Sequence, residues 1–429
     1  MGTLTRACIA AGFVIGVLAW GLAGPATGSA ATVECGEVLL TDTVVENDLT
    51  DCPADGLVIG APDINVDLNN HTIDGATVFC DEVPCTPRSQ GIDNREGHDG
   101  VTIENGTVTG FHDGVRLVNA DGNTLEALTV RAFAAQPNDN RFRAVTLVGS
   151  HDNQIRDLEA EGGTGLLLSG SDRNLVSGSD VAGRGDASAG ANGIQLVEGS
   201  DFNVIEQTVV TGDGEEIGTV VLGSSDNEIR DSQLNPGLDA ALLVGESSNT
   251  TITGNELNST VLSLASNGTR LARNTLSGSV DTRRLVVTGS SNVISRNDIG
   301  APGTCRAVEV LDGDLNIVRR NYVAGSVNAE SRNSLIQGNY MTDAGCGRSG
   351  LYAGPSTVVK RNIAVHNSGR GIEASRRAVD AGGNRASFNE KRPKCLNIRC
   401  RPAPDCPGFA IGNGAFESCD AQPRGRRGR

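Results

Sequence analysis

Apolar residues along this chain fall in short alternating runs. GVRLV (114–118), GIQLV (193–197), TVVLG (219–223), AVEVL (307–311) and GIEAS (371–375) each alternate inward and outward side chains over four or five residues, with Gly or another small residue leading. That period of two belongs to strands. No ten-residue amphipathic segment offers a crossover helix. The runs also recur. RDSQL, TGNEL, ARNTL, SRNDI, RRNYV, QGNYM and KRNIA place Asp231, Asn255, Asn274, Asn297, Asn321, Asn339 and Asn362 in one column, continued by Asn384, at a mean interval of about 22 residues. A second column runs through Asn153, Asn174, Asn203, Asn227, Asn249, Asn267, Asn292 and Asn316, each ahead of a short apolar pair.

One such period holds three short strands and three turns. The strands are too short for hairpin sheets, so each must pair with the same strand of the next coil. The expected fold is all-β: a right-handed parallel β-helix, a solenoid of about 14 coils between Asn69 and Asn384, rising roughly 65 Å at one strand spacing per coil. Asn suits the columns because it tolerates the left-handed bend between strands and its amide bonds the Asn above and below. Solenoid ends expose apolar core and need caps. The Cys35/Cys52 segment is expected at one end and the segment from Cys395 to Cys419 at the other. Residues 31–390 would form the solenoid, and 391–429 a Cys-rich cap with a basic tail ending RGRRGR.

Charge and address narrow the function. A net charge of −16 repels nucleic acid. Aromatics at 3% are poor material for a helical core but suffice for stacked Ile, Val and Leu. Residues 1–30 read as a secretory signal peptide, with Arg6 before an apolar run to Leu22, so a secreted, extracellular protein is expected, with no membrane attachment after cleavage. Ten cysteines follow: Cys35/Cys52, Cys80/Cys85, Cys305/Cys346 and Cys395/Cys400/Cys406/Cys419, read as disulfides mostly between neighbours. Zinc is the competing reading of the last four, although their spacing fits no common zinc pattern; no metal or other cofactor is expected.

The strings DGLVIGAPDINVDLNNHTIDG (Asp55 to Gly75) and VTIENGTVTGFHDGVRL (Val101 to Leu117) resemble the start of right-handed parallel β-helix repeat proteins of the pectate-lyase-like superfamily, in particular secreted bacterial members with NosD-like and carbohydrate-binding repeats. The resemblance covers about Val33 to Asn389 and implies a carbohydrate partner. The catalytic signatures of polygalacturonase-like, epimerase-like and pectate-lyase proteins are absent. GFHDGVRL is the nearest string to the epimerase motif but lacks its Pro and preceding Asp. It nominates His112, Asp113 and Arg116 as catalytic candidates, with partners sought at Glu104, Glu126, Thr146 or Arg131. His151, in the turn GSHDN, reads as an ordinary turn residue.

Arginine supplies nearly all the positive charge; only Lys360, Lys391 and Lys394 are lysines. From Arg230 onward the column ahead of the asparagines carries Arg in five of seven coils, at Arg230, Arg273, Arg296, Arg320 and Arg361, with Gly254 and Gly338 between them. Stacked like charges repel. If carboxylates on flanking turns pair with them and their stems pack over the ladder, the column is structural, the reading the net charge favours. If not, it is a carbohydrate-binding stripe for an anionic polysaccharide. Three functions follow: an extracellular protein binding extended, anionic polysaccharide without proven catalysis; a polysaccharide lyase or uronate C5-epimerase centred on His112; and a surface or scaffold protein using outward Leu167, Val221 and Leu243.

Overall fold

The computed structural model describes residues 28–76, 89–132, 142–184, 191–213, 217–235, 240–258, 260–264, 266–277, 285–300, 303 and 305–403. Most of the expected leader, Cys80, Cys85, Cys406, Cys419 and the basic tail lie outside these residues. The chain is a parallel β-helix. Among the described residues sixteen strands, from Glu37–Leu39 to Cys395–Leu396, form one sheet in sequence order, each paired in parallel with the next. A second, twenty-nine-stranded sheet takes the remaining strands, in most coils two from each turn. The long strands Thr102–Thr109 and Thr124–Arg131 bend through Asn105 and Ala127 at positive φ and so join its two arms.

Alternation sets the core. Val115, Val145, Leu166 and Ile194 stack in one column and Leu117, Leu147, Leu168 and Leu196 in another, all essentially without solvent contact. Each such side chain contributes roughly 1.5–3 kcal/mol on leaving water. The small residue ahead of each run sits where the chain turns a tight corner: a Cβ on Gly114 would lie 2.2 Å from Val130 and 2.6 Å from the Ala144 carbonyl oxygen.

Two ladders line the turns. At the first, the Asn123 backbone N–H donates to Asn153 Oδ1 at 2.7 Å, and Asn153, Asn174 and Asn203 pass the same bond along to Asn227. At the second, Asn255, Asn274, Asn297, Asn321, Asn339, Asn362 and Asn384 repeat it at 2.9–3.0 Å. The left-handed residue is not the ladder residue but the one before it, for example Arg296 (φ 59°) before Asn297 and Asp226 (φ 56°) before Asn227. This shifts three assignments. Asp231 (φ 49°) and Asn249 (φ 56°) occupy the left-handed position, and the rungs there are Ser232 and Thr250. Asn267 stands two residues ahead of its rung, Thr269.

Disulfides Cys35–Cys52, Cys305–Cys346 and Cys395–Cys400 form as neighbours. The last bond joins two of the four cysteines of the zinc reading, and the other two, Cys406 and Cys419, lie outside the described residues. At the N-terminal end Asn47 caps the Val33 backbone at both its N–H and carbonyl, while Ser29–Ala31 pairs with Thr43–Val45. At the other end the chain folds back so that Ala386 N–H donates to Arg401 O, with Ile398 and Ala403 buried. Val221 faces the core; its neighbour Val220 takes the outward position, and both Val220 and Leu167 are largely covered.

Candidate functional site

Strand Gln90–Asn94 aligns with Asp113–Val118, and that with Arg143–Val148, so Asp93, Arg116 and Thr146 occupy one outward column on three consecutive turns. Gln90, Asp113 and Arg143 form a parallel column at the corner. Asp93 is fully buried, and its carboxylate binds the Arg95 guanidinium, which also reaches Asp55. Burial pushes the Asp93 carboxyl up, against the opposing pull of Arg95 and Arg116. His112 is buried too, its Nδ1 3.5 Å from Asp113 Oδ2 and its ring 4.8 Å from that of Phe142. Among the described residues Asp93 Oδ1, His112 Nδ1, Asp113 Oδ1 and Thr146 Oγ1 have no hydrogen-bond partner. Buried polar atoms left this way are costly in a folded chain. A carboxyl that holds its proton unusually well beside guanidiniums has the makings of a general acid or base.

Of the partners sought for His112, only Thr146 belongs to this group. Glu104 and Glu126 sit on the other sheet, where Glu104 accepts from Asn65 and Glu126 neighbours Arg156, and Arg131 pairs with Glu159 at 2.7 Å. Asp93, Arg95 and Asp55 were not anticipated. The strand of Asp93 hides in the sequence because Asn94 fills the inward place that Leu117 holds one turn later; Asn94 is fully buried and trades hydrogen bonds with the His98 backbone. Among the described residues no group of three His, Cys, Asp or Glu side chains is placed to hold a metal ion.

The arginine column divides. Arg230 lies one register position before the others, in strand Glu228–Arg230, where Glu206 accepts from its Nε at 2.7 Å and Glu228 sits 3.3 Å away. Hydrogen bonding to Glu206 raises its pKa further. Arg273, Arg296, Arg320 and Arg361 instead take the left-handed corner position, with φ between 54° and 60°, and all four are exposed. Among the described residues none forms an ion pair, so the expected alternation with carboxylates holds for Arg230 alone. Their backbones are satisfied independently, each N–H donating to a carbonyl of the following turn. The stems of Arg320 and Arg361 lie over Gly338 and Gly383. Arg319 and Lys360, next in sequence, enlarge the basic edge.

Residues 69–262 match the family model described as periplasmic copper-binding protein (NosD). Among curated proteins nothing matches. Three solved structures share the winding at low identity. A DFA-IIIase from Arthrobacter chlorophenolicus A6 in complex with DFA-III is 12% identical, with 87% of this chain and 89% of that one covered and a TM-score of 0.41. The tailspike of E. coli bacteriophage HK620 in complex with a pentasaccharide is 9% identical over 84% and 73%, with a TM-score of 0.44. The catalytic domain of a GH87 α-1,3-glucanase with nigerose is 13% identical over 83% and 63%, with a TM-score of 0.35. Likenesses at this level assign no function, and the winding itself hosts many.

Proposed function

We propose that this protein is an extracellular polysaccharide-binding protein whose anionic ligand lies lengthwise along the corner formed by Arg273, Arg296, Arg320 and Arg361. One observation carries the reading: four guanidiniums stack at left-handed positions, where Gly, Asn or Asp would be less strained, and no carboxylate answers them among the described residues. Successive turns repeat at about 4.8 Å, so charges on an extended uronate or sulfate ester chain meet a basic group at every turn or two. The three disulfides among the described residues favour an oxidising, extracytoplasmic setting. Among the described residues no helix is long and apolar enough to cross a membrane. The decisive experiment is retention of the protein on immobilised uronate polymers. Retention should fall as salt rises and be lost in the Arg273→Ala/Arg296→Ala/Arg320→Ala variant, provided its melting is unchanged; equal retention of that variant refutes the corner.

A second reading, a lyase or epimerase acting on the same class of polymer, draws on the buried Asp93, His112 and Asp113 with their unanswered atoms. Its sign is unsaturated uronate product, or C5 inversion, lost in His112→Ala. Neither product from any uronate polymer leaves binding alone.

A further inference from the structure

A cleft of about 300 Å³ opens on the outer face of the sixteen-stranded sheet toward its C-terminal end, on a different sheet from the arginine corner. Strands Val308–Val310, Val327–Ala329, Leu351–Ala353 and Ile372–Ala374 place Glu309, Asn328, Tyr352 and Glu373 in one outward column. Tyr352 stands 37% exposed on the cleft wall, in a chain with only 3% aromatic residues. Around it the polar groups are already oriented. Arg306 binds the fully buried Glu309 at 2.7 Å, Asn328 Nδ2 donates to Glu330 at 3.1 Å, and Ser349 Oγ donates to Glu373 at 3.1 Å. The Cys305–Cys346 disulfide ties the two rims together: Arg306 follows one cysteine directly and Arg348 stands two residues after the other.

The lining carries two guanidiniums, Arg306 and Arg348, and two carboxylates, Glu330 and Glu373. Its charge balances, so it lacks the bias that would select a polyanion. An exposed aromatic face beside fixed donors and acceptors matches a pyranose ring, whose C–H face is apolar and whose hydroxyls both give and take hydrogen bonds. The volume is at the small end of ligand pockets. We propose that this cleft is a saccharide site for an uncharged hexopyranose, one or two rings long, stacked on Tyr352 and hydrogen-bonded by Asn328, Glu330, Arg348 and Glu373. It differs in face and ligand charge from the polyanion corner and stands whether or not that corner binds.

The test is calorimetric titration of the full chain with uncharged gluco-, manno- and galacto-configured hexasaccharides. At least one should bind, with a Kd that shifts less than about two-fold between low salt and roughly 0.5 M NaCl, because no net charge is screened. Tyr352→Ala should weaken binding about ten-fold or more, whereas Tyr352→Phe keeps it within about two-fold, since the ring face is retained. Retention on uronate polymers should be unchanged in Tyr352→Ala, so failure of the cleft and failure of the corner are separable. The proposal is overturned if none of the three sugars binds the folded protein, if Tyr352→Ala binds as well as the parent, or if salt abolishes the binding.

Discussion

Replacing Arg296 by Asn sets the binding reading directly against the structural one. Arg296 holds φ at 59° with an exposed side chain and no ion pair among the described residues, and its N–H bond to Arg319 O at 3.2 Å belongs to the backbone. Asn is more at ease in the left-handed region, a gain of about 0.5–1 kcal/mol. Arg273 and Arg320 flank it on the adjacent turns; with charged heads splayed to roughly 8 Å, screened repulsion costs about 0.2 kcal/mol per neighbour. The substitution should therefore stabilise the fold by about 1 kcal/mol, raising the urea midpoint without changing the slope. It should also weaken retention on a uronate polymer by about two- to five-fold, the worth of one exposed ion pair. Denaturation and affinity chromatography on the same preparation measure both. A stability loss of about 1 kcal/mol with unchanged retention would show that the arginine stem holds the corner together, and the binding reading would fall.

Three further outcomes follow from particular contacts. Asn321→Ala removes a side chain that accepts from Asn297 and donates to Ile294 O and Asn339 Oδ1; the buried groups left bare should cost about 3–5 kcal/mol in urea unfolding. Asp93→Asn should stabilise the fold at neutral pH. The folded carboxyl titrates above its unfolded counterpart, so its penalty is full above the folded pKa and disappears below the unfolded one; the advantage of Asn should shrink as melts are taken from pH 7 toward about pH 4. The Cys305→Ser/Cys346→Ser variant opens a link spanning 41 residues and should lose up to about 4 kcal/mol by loop entropy, read by urea unfolding beside the disulfide-intact parent.

The winding was legible because the ladder residues recur in sequence and because each inward column needs apolar side chains at a fixed offset. Its fine register was less so. Asn serves both as a rung and, at Asn249, as the left-handed residue before one, while Ser232 and Thr250 stand as rungs in place of Asn, so Asp231 and Asn249 were assigned one place out of step. TVVLG places two valines side by side, leaving no polar residue to show that Val220 and not Val221 faces out. His112, Asp113 and Arg116 were nominated through a motif, but Asp93 lies in a strand whose second inward residue is the polar Asn94. The cleft had no motif at all. Glu309, Tyr352 and Glu373 are single outward residues from different turns, assembled only by parallel pairing.

Because every rung bonds only to the turns directly before and after it, the length of the molecule is an adjustable dimension. Excising residues 274–296 would leave Asn297 directly after Arg273, the sequence neighbour that Asn274 had before, and Asn255 would find Asn297 where Asn274 had been. The shortened rod would present three guanidiniums in place of four along that edge. Reach toward a long ligand is thus counted in whole windings, and a protein of this kind can gain or shed reach by duplicating or dropping one without redesigning its interior.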